Sequence, residues 1–135
     1  MQDTALAAVA IYFGLNAAIL LWMAARIIGL RRRYDVPIGD GGNAHLMRAM
    51  RGQANFVELV PMALSMLLVM ALMGVPAWVI HLLGAPLTVG RVLHGRHFLA
   101  EDAPLSTRFA GTTITFVVIG LAAAGLTLHG LAGLF

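Results

Sequence analysis

The sequence contains no cysteine and no lysine, and it carries little charge of either sign. Without cysteine the chain can form no disulfide, thiolate metal site or cysteine nucleophile, so any thiol chemistry must come from a bound ligand. Charged residues make up 11% of the 135 residues and hydrophobic residues 60%, whereas a soluble domain carries about 25% charged residues. The composition therefore predicts one integral membrane domain covering residues 1–135.

All nine basic residues are arginine, and they give a net charge of +3. They lie at the ends of apolar segments rather than on a soluble basic face, which argues against nucleic-acid binding. The positive-inside rule accounts for part of this placement, but lysine would serve that rule equally well. Because the guanidinium fork matches a carboxylate, we expect some of these arginines to bind carboxylates.

Four apolar segments predict an all-α bundle of four transmembrane helices, at residues 4–28, 44–73, 77–98 and 106–129. The first segment is too long for a signal peptide and no basic residue precedes it. Asn43 is suited to cap the second helix, Pro76 to begin the third, and the "GAP" at 84–86 to bend it. One helix over 44–98 would be about 80 Å long, far beyond the roughly 30 Å hydrocarbon core, so a helical hairpin is expected.

Four crossings would place both polar loops, with the arginines in or near them, on one side of the membrane. The positive-inside rule makes that side cytoplasmic and puts both termini on the other side. Small residues, for example "GLAAAG" in the fourth segment, permit close helix approach. Because four short helices bury little interior, we expect the protein to oligomerise.

The second segment carries a polar stripe of Arg48, Arg51, Asn55 and Glu58. Their spacings of three, four and three confine them to an arc of roughly 80° on a helix, with Gln53 outside it. Glu58 would lie about 15 Å deeper than Arg48, where an unpaired carboxylate is costly. Its partner could be another helix, a neighbouring subunit or a ligand, and an ionisable group at this depth favours the ligand.

The third segment repeats the pattern, because Arg91, His94 and Phe98 share one helix face. We therefore include these three among the candidate ligand-binding residues. Arg96 and His97 are expected to point elsewhere, towards the membrane surface. No spacing of histidines and carboxylates suits a metal, so none is predicted.

The fourth segment carries Arg108 in its first turns, where a cation is unfavourable with the helix dipole. That penalty favours a role in meeting an anion, although a snorkelling membrane anchor remains the alternative. A ligand for the whole set needs carboxylates for the arginines and an ammonium for Glu58. Glutathione has two carboxylates, one ammonium and a thiol, and an arginine beside the thiol would favour the reactive thiolate.

The stretches "RGQANFVELVP" and "GRVLHGRHF" resemble the second-helix and third-helix motifs of the MAPEG family, the membrane-associated proteins in eicosanoid and glutathione metabolism. "LRRRYDVPIGDGGNAHLMRAMR" and "PLSTRFAGT" resemble the first loop and the start of the fourth helix in its bacterial branch. The resemblance covers nearly the whole chain. Within that family the chain is similar to the microsomal glutathione transferases.

This resemblance implies a homotrimer with glutathione bound between neighbouring subunits near the cytoplasmic side. By motif position, Arg51, Asn55 and Glu58 match glutathione-binding residues, and Arg48 is a plausible addition. His94 matches a ligand-contacting position, and Phe98 stands where several relatives carry tyrosine. Arg108 matches the arginine that stabilises the thiolate, and Arg31 or Arg32 matches an arginine near the site.

The activity that the resemblance implies is attack of bound glutathione, as its thiolate, on a hydrophobic electrophile that enters from the lipid, or on a peroxide. Two alternatives remain open. One is a non-catalytic binding or structural member of the family, which the absence of a tyrosine hydroxyl at Phe98 would permit. The other is a small multidrug transporter, which is disfavoured because the first segment carries no acid at membrane depth and Glu58 lies among arginines.

Overall fold

The structure, a computed structural model, describes residues 2–134. The end residues 1 and 135 of the predicted domain lie outside this range. The described chain forms four α-helices, α1 (Gln2–Tyr34), α2 (Ala44–Leu72), α3 (Ala77–Leu99) and α4 (Leu105–Ala132). The all-helical prediction is therefore confirmed for residues 2–134.

The helix boundaries follow local sequence signals. The Asn43 side chain accepts a hydrogen bond from the Leu46 amide at 2.9 Å and so caps α2 as predicted. Pro76 immediately precedes α3, and Gly74 closes the hairpin between α2 and α3 with a φ of 83°, which glycine adopts without strain. Residues 84–86 stay within α3, whose helix is continuous through Pro86.

The first helix is longer than the predicted range of 4–28, because it continues through three consecutive arginines to Tyr34. Arginine is a good helix former, and cations are favourable in a last turn where the carbonyl ends are unpaired. Arg31 then holds the following loop by donating to the carbonyls of Val36 and Gly39, at 3.3 and 2.8 Å.

Helices α2 and α3 form the centre of the bundle, and each of them packs against the other three helices. Glycines allow the closest approaches. A Cβ atom at Gly84 of α3 would collide with the ring of Tyr12 on α1, and one at Gly111 of α4 would collide with the Gly90 carbonyl of α3. These small residues bring α1 and α4 against α3, as expected for helices that associate within a membrane.

Three helices, α1, α2 and α4, are long and apolar enough to cross a membrane. Many of their large apolar side chains face outwards, including Leu21 at 71% and Phe109 at 67% exposure. Helix α3 has 23 residues but also two arginines and three histidines, which lower its hydropathy. A crossing by α3 therefore stays a prediction.

A polar network joins α1 to α3. Asn16 is buried and donates through Nδ2 to the Tyr12 carbonyl at 2.9 Å and to the Thr88 hydroxyl at 3.0 Å. The Tyr12 hydroxyl lies 2.8 Å from Nδ1 of His81. We call these four side chains the α1–α3 network.

Candidate functional site

The stripe on α2 lies beside α3 and α4, and all of its residues except Arg48 line a cavity of about 450 Å³, which we call the main cavity. This volume lies within the range of small-molecule sites. Charged and polar side chains from three helices meet around it. Its lining comprises Arg51, Ala54, Asn55 and Glu58 of α2, His94 and Phe98 of α3, and Arg108, Phe109 and Thr112 of α4.

Glu58 lies at the cavity, and no carboxylate–cation pair involving it forms within the described chain. The salt bridge between helices that remained one possibility for Glu58 is therefore not formed among residues 2–134. The side chains of Arg51, Glu58 and Arg108 are exposed on the surface of the single chain. Because exposed charges are costly beside lipid, these groups require a ligand, water or a neighbouring subunit.

His94 reaches the main cavity from the interior of the bundle and is only 2% exposed. The carbonyl of Gly52 is near enough to interact with the ring, but neither ring nitrogen has a partner at hydrogen-bond geometry. The ring also packs against Phe98, with the ring centroids 4.5 Å apart. Because this buried imidazole makes no hydrogen bond of good geometry within residues 2–134, it retains hydrogen-bonding capacity that a ligand in the cavity could satisfy.

Arg91 lies behind the cavity and is fully buried, so it does not join His94 in the lining. Its Nη1 donates to Oδ1 of Asn55 at 3.1 Å, and its Nη2 donates to the carbonyl of Gly111 at 3.3 Å. Arg91 thus connects α3 to both α2 and α4 at the level of the cavity. The structure places it as a support of the site.

Phe98 and Arg108, together with Arg51, line both the main cavity and a second cavity. The guanidinium carbon of Arg108 lies 5.6 Å from the centre of the Phe98 ring, within cation–π range. Phe98 packs directly on Gly52, where a Cβ atom would collide with its side chain. The glycine in "RGQAN" therefore allows the third-helix aromatic residue to reach the site.

The second cavity is about 550 Å³ and extends towards the loop between α3 and α4. It shares Arg51, Phe98 and Arg108 with the main cavity and adds His45, Arg48 and Glu101. The Arg48 guanidinium donates to the loop carbonyls of Ala100 and Glu101. This predicted ligand-binding arginine therefore holds the loop while it lines the second cavity.

The sequence prediction was wrong for His97 and did not include Thr112. His97 was expected to face the membrane surface, but it is only 5% exposed, with Nδ1 lying 3.2 Å from both the Pro104 carbonyl and the Thr107 hydroxyl. The loop before α4 folds over this histidine, which helix periodicity alone does not reveal. Thr112 was missed as a lining residue, although it lies one turn after Arg108 on the same helix face.

Metal ligation finds no support among residues 2–134, where no group of three His, Asp or Glu side chains is placed to hold an ion. The chemistry available at the main cavity is that of an anion-binding site with one acid. Arg51 and Arg108 supply fixed positive charge, Glu58 supplies a carboxylate, and His94 and Asn55 supply neutral polar groups.

Long apolar helices beside a charged cavity define an integral membrane protein with a polar site between α2, α3 and α4. The family model for the MAPEG family matches residues 9–128, so the chain belongs to that family. The inner membrane protein YecN, from two strains of Escherichia coli, is 36% identical over 85 residues. This alignment covers 63% of the chain and 65% of YecN, less than two thirds of that relative. The match to an inner membrane protein agrees with the apolar helices and supports a membrane location.

Proposed function

We propose that the protein is a glutathione-dependent membrane enzyme that binds glutathione in the main cavity. The observation that carries the proposal is that two arginines, a glutamate without an ion-pair partner in residues 2–134 and a buried histidine converge on one cavity. Glutathione matches this set, because its carboxylates suit the arginines and its ammonium suits the glutamate. The cavity volume of about 450 Å³ is adequate for a tripeptide.

In this proposal Arg51 binds a carboxylate and Glu58 binds the amine, which sets the orientation of the peptide. The two side chains are seven residues apart on one helix, about 10 Å along its axis. Arg108 stabilises the thiolate, and its position against the Phe98 ring limits its movement. With an electrophile, a sulfur–carbon bond forms as the leaving group departs or an epoxide oxygen takes a proton. Alternatively, the thiolate attacks the terminal oxygen of a hydroperoxide and breaks the O–O bond, which releases an alcohol after protonation and leaves the sulfur as a sulfenic acid. A second glutathione then converts this sulfenic acid to the disulfide and water.

The substrate proposed for this site is a hydrophobic electrophile or peroxide that reaches it from the bilayer. Phe109 lines the cavity and is 67% exposed on α4, so one wall of the site adjoins the surface that lipid would cover. Compounds that partition into lipid could enter along this wall without crossing water. Detoxification of such compounds is the physiological role this arrangement suits.

We further propose a homotrimer in which a neighbouring subunit covers the exposed side of the cavity. Arg51, Glu58 and Arg108 are exposed on the single chain although they lie on helices with lipid-compatible surfaces. A second copy would remove these charges from lipid, and the Arg31–Arg33 segment at the end of α1 could add cations. We also propose that α3 crosses the membrane, with both arginine-rich loops cytoplasmic and both termini opposite.

A non-catalytic glutathione-binding protein is the second candidate, and Phe98 favours it. Phe98 packs on Arg108 and His94 but has no hydroxyl to donate to a sulfur. Introducing that hydroxyl with Phe98→Tyr would distinguish the two functions, since an enzyme should change in turnover whereas a binding protein stays inactive.

The test is calorimetric titration of glutathione into the detergent-purified protein, with Arg51→Ala and Glu58→Ala alongside. We expect binding in the micromolar to low-millimolar range, equivalent to about 4–8 kcal/mol, which both variants lose. Thr88→Val is the control, because this residue lies in the α1–α3 network and away from the cavity. A folded wild type that does not bind glutathione would exclude the proposed enzyme.

A further inference from the structure

Arg91 is a fully buried arginine that does not line the cavity. Buried arginines are rare in proteins, and removing a guanidinium from water is costly unless its donors are used. Two of its three nitrogens donate to protein oxygens, on α2 and on α4. The residue is therefore built into the wall of the site, and its hydrogen bonds indicate its role.

The contact with Asn55 sets the direction of an amide group. A guanidinium can only donate hydrogen bonds, so the atom of Asn55 that faces Arg91 must be the acceptor Oδ1. The NH₂ group occupies the other branch of the planar amide. Within residues 2–134 this NH₂ donates to no side-chain or backbone acceptor, and Asn55 lines the main cavity.

The arginine is itself held by the crossing of α3 and α4. Gly90 and Gly111 lie where the two helices are closest, since a Cβ atom at Gly111 would collide with the Gly90 carbonyl. The Gly111 carbonyl accepts from Nη2 of Arg91 at 3.3 Å and also from the Thr115 hydroxyl at 2.8 Å. The glycine crossing thus fixes one end of the guanidinium, and the other end fixes Asn55.

We propose that Arg91 is a positioning residue that turns the NH₂ group of Asn55 into the cavity. The middle of the site then presents the two N–H donors of the Asn55 amide. Asn55 lies about one helical turn from Arg51 on one side and from Glu58 on the other. It therefore selects a ligand that places an acceptor oxygen there, a carboxylate or a peptide carbonyl, and rejects one that places a donor. The ligand part of this inference rests on the proposed function, whereas the orientation of the amide does not.

A matched pair of Asn→Asp substitutions tests the orientation without any ligand. In Asn55→Asp an oxygen still faces Arg91, so we expect the Tm to fall by less than about 2 °C. In Asn16→Asp the Nδ2 donor that bonds Tyr12 and Thr88 becomes an oxygen facing a carbonyl, and the Tm should fall by about 5 °C or more. An equal loss in both variants would overturn the inference.

Glutathione titration then tests the selection. Asn55→Asp should weaken glutathione binding by about tenfold or more, because a carboxylate oxygen replaces the N–H donors that face the ligand. Unchanged affinity in this folded variant would overturn the inference. If the wild type does not bind glutathione at all, the proposed function fails, and the pair of Tm measurements still decides the orientation of Asn55.

A double-mutant cycle separates positioning from a general structural effect. If Arg91 acts through Asn55, Arg91→Gln weakens glutathione binding in the wild-type background but by less than about twofold in an Asn55→Ala background. Equal losses in both backgrounds would show that Arg91 does not act through Asn55 and would overturn the inference.

Discussion

The α1–α3 network and the main cavity are both polar regions between apolar helices, yet they differ in how far their polar groups are hydrogen-bonded to one another. In the network, Tyr12 bonds His81, and Asn16 bonds Thr88 and the Tyr12 carbonyl; among the buried side-chain atoms of these four residues, only Oδ1 of Asn16 lacks a partner. In the cavity, neither nitrogen of His94 has a partner at good hydrogen-bond geometry, and Glu58 forms no ion pair within the described chain. Polar groups that hydrogen-bond to one another join helices, whereas polar groups around a cavity that lack partners indicate a ligand site.

The largest expected effect comes from removing the charge of Glu58 while keeping its shape. Glu58→Gln should weaken glutathione binding by about 10- to 100-fold, because a charge-assisted hydrogen bond to the ligand amine is lost. Calorimetry on the purified protein measures this loss. If glutathione affinity is unchanged while the variant remains folded, Glu58 has a structural role like the polar groups of the α1–α3 network. The distinction between the network and the main cavity would then be wrong.

A second prediction concerns the glycine that admits Phe98. Gly52→Ala should lower the free energy of unfolding by about 1–3 kcal/mol and weaken glutathione binding, because its Cβ would collide with the Phe98 side chain at the cavity. Thermal unfolding together with calorimetry gives both quantities.

Gly29→Ala is the matched control for this substitution, since nothing lies within 4 Å of a Cβ atom at Gly29 on α1. Alanine is the better helix former there, by about 1 kcal/mol, and glutathione binding should not change. Equal losses of stability at both positions would indicate that the collision with Phe98 is not the cause of the loss in Gly52→Ala.

The smallest expected effect lies in the network. Tyr12→Phe removes the hydroxyl that bonds His81 at 2.8 Å, and it should cost about 1 kcal/mol of stability. Glutathione affinity should remain within about twofold of the wild type, as the network shares no residue with the cavity. A large loss of affinity would show that the two regions are coupled and that the distinction between them is wrong.

Much of the fold follows directly from the sequence, because long apolar runs separated by polar loops can form few structures other than helices in a membrane. The stripe on α2 was also predictable, since helix periodicity alone places Arg51, Asn55 and Glu58 on one face. The end of α1 was not, because three arginines form a polar run that is equally compatible with a loop or a helix end.

The roles of single side chains depend on contacts between helices, and these were less predictable. Arg91 shares a helix face with His94, yet the Gly90–Gly111 crossing buries the arginine behind the cavity while the histidine reaches it. His97 is buried because the loop before α4 closes over it. Periodicity gives the face of a residue, whereas the neighbouring helix or loop decides what that face meets.

The most direct test is a cryo-electron microscopy structure of the membrane assembly with glutathione. The proposed function predicts ligand density in the main cavity, with a carboxylate at Arg51, the amine at Glu58 and the sulfur beside Arg108, closed on its exposed side by a neighbouring subunit. The contradicting result is a cavity filled by the neighbour's own side chains, with Glu58 paired to one of its arginines and no density for glutathione.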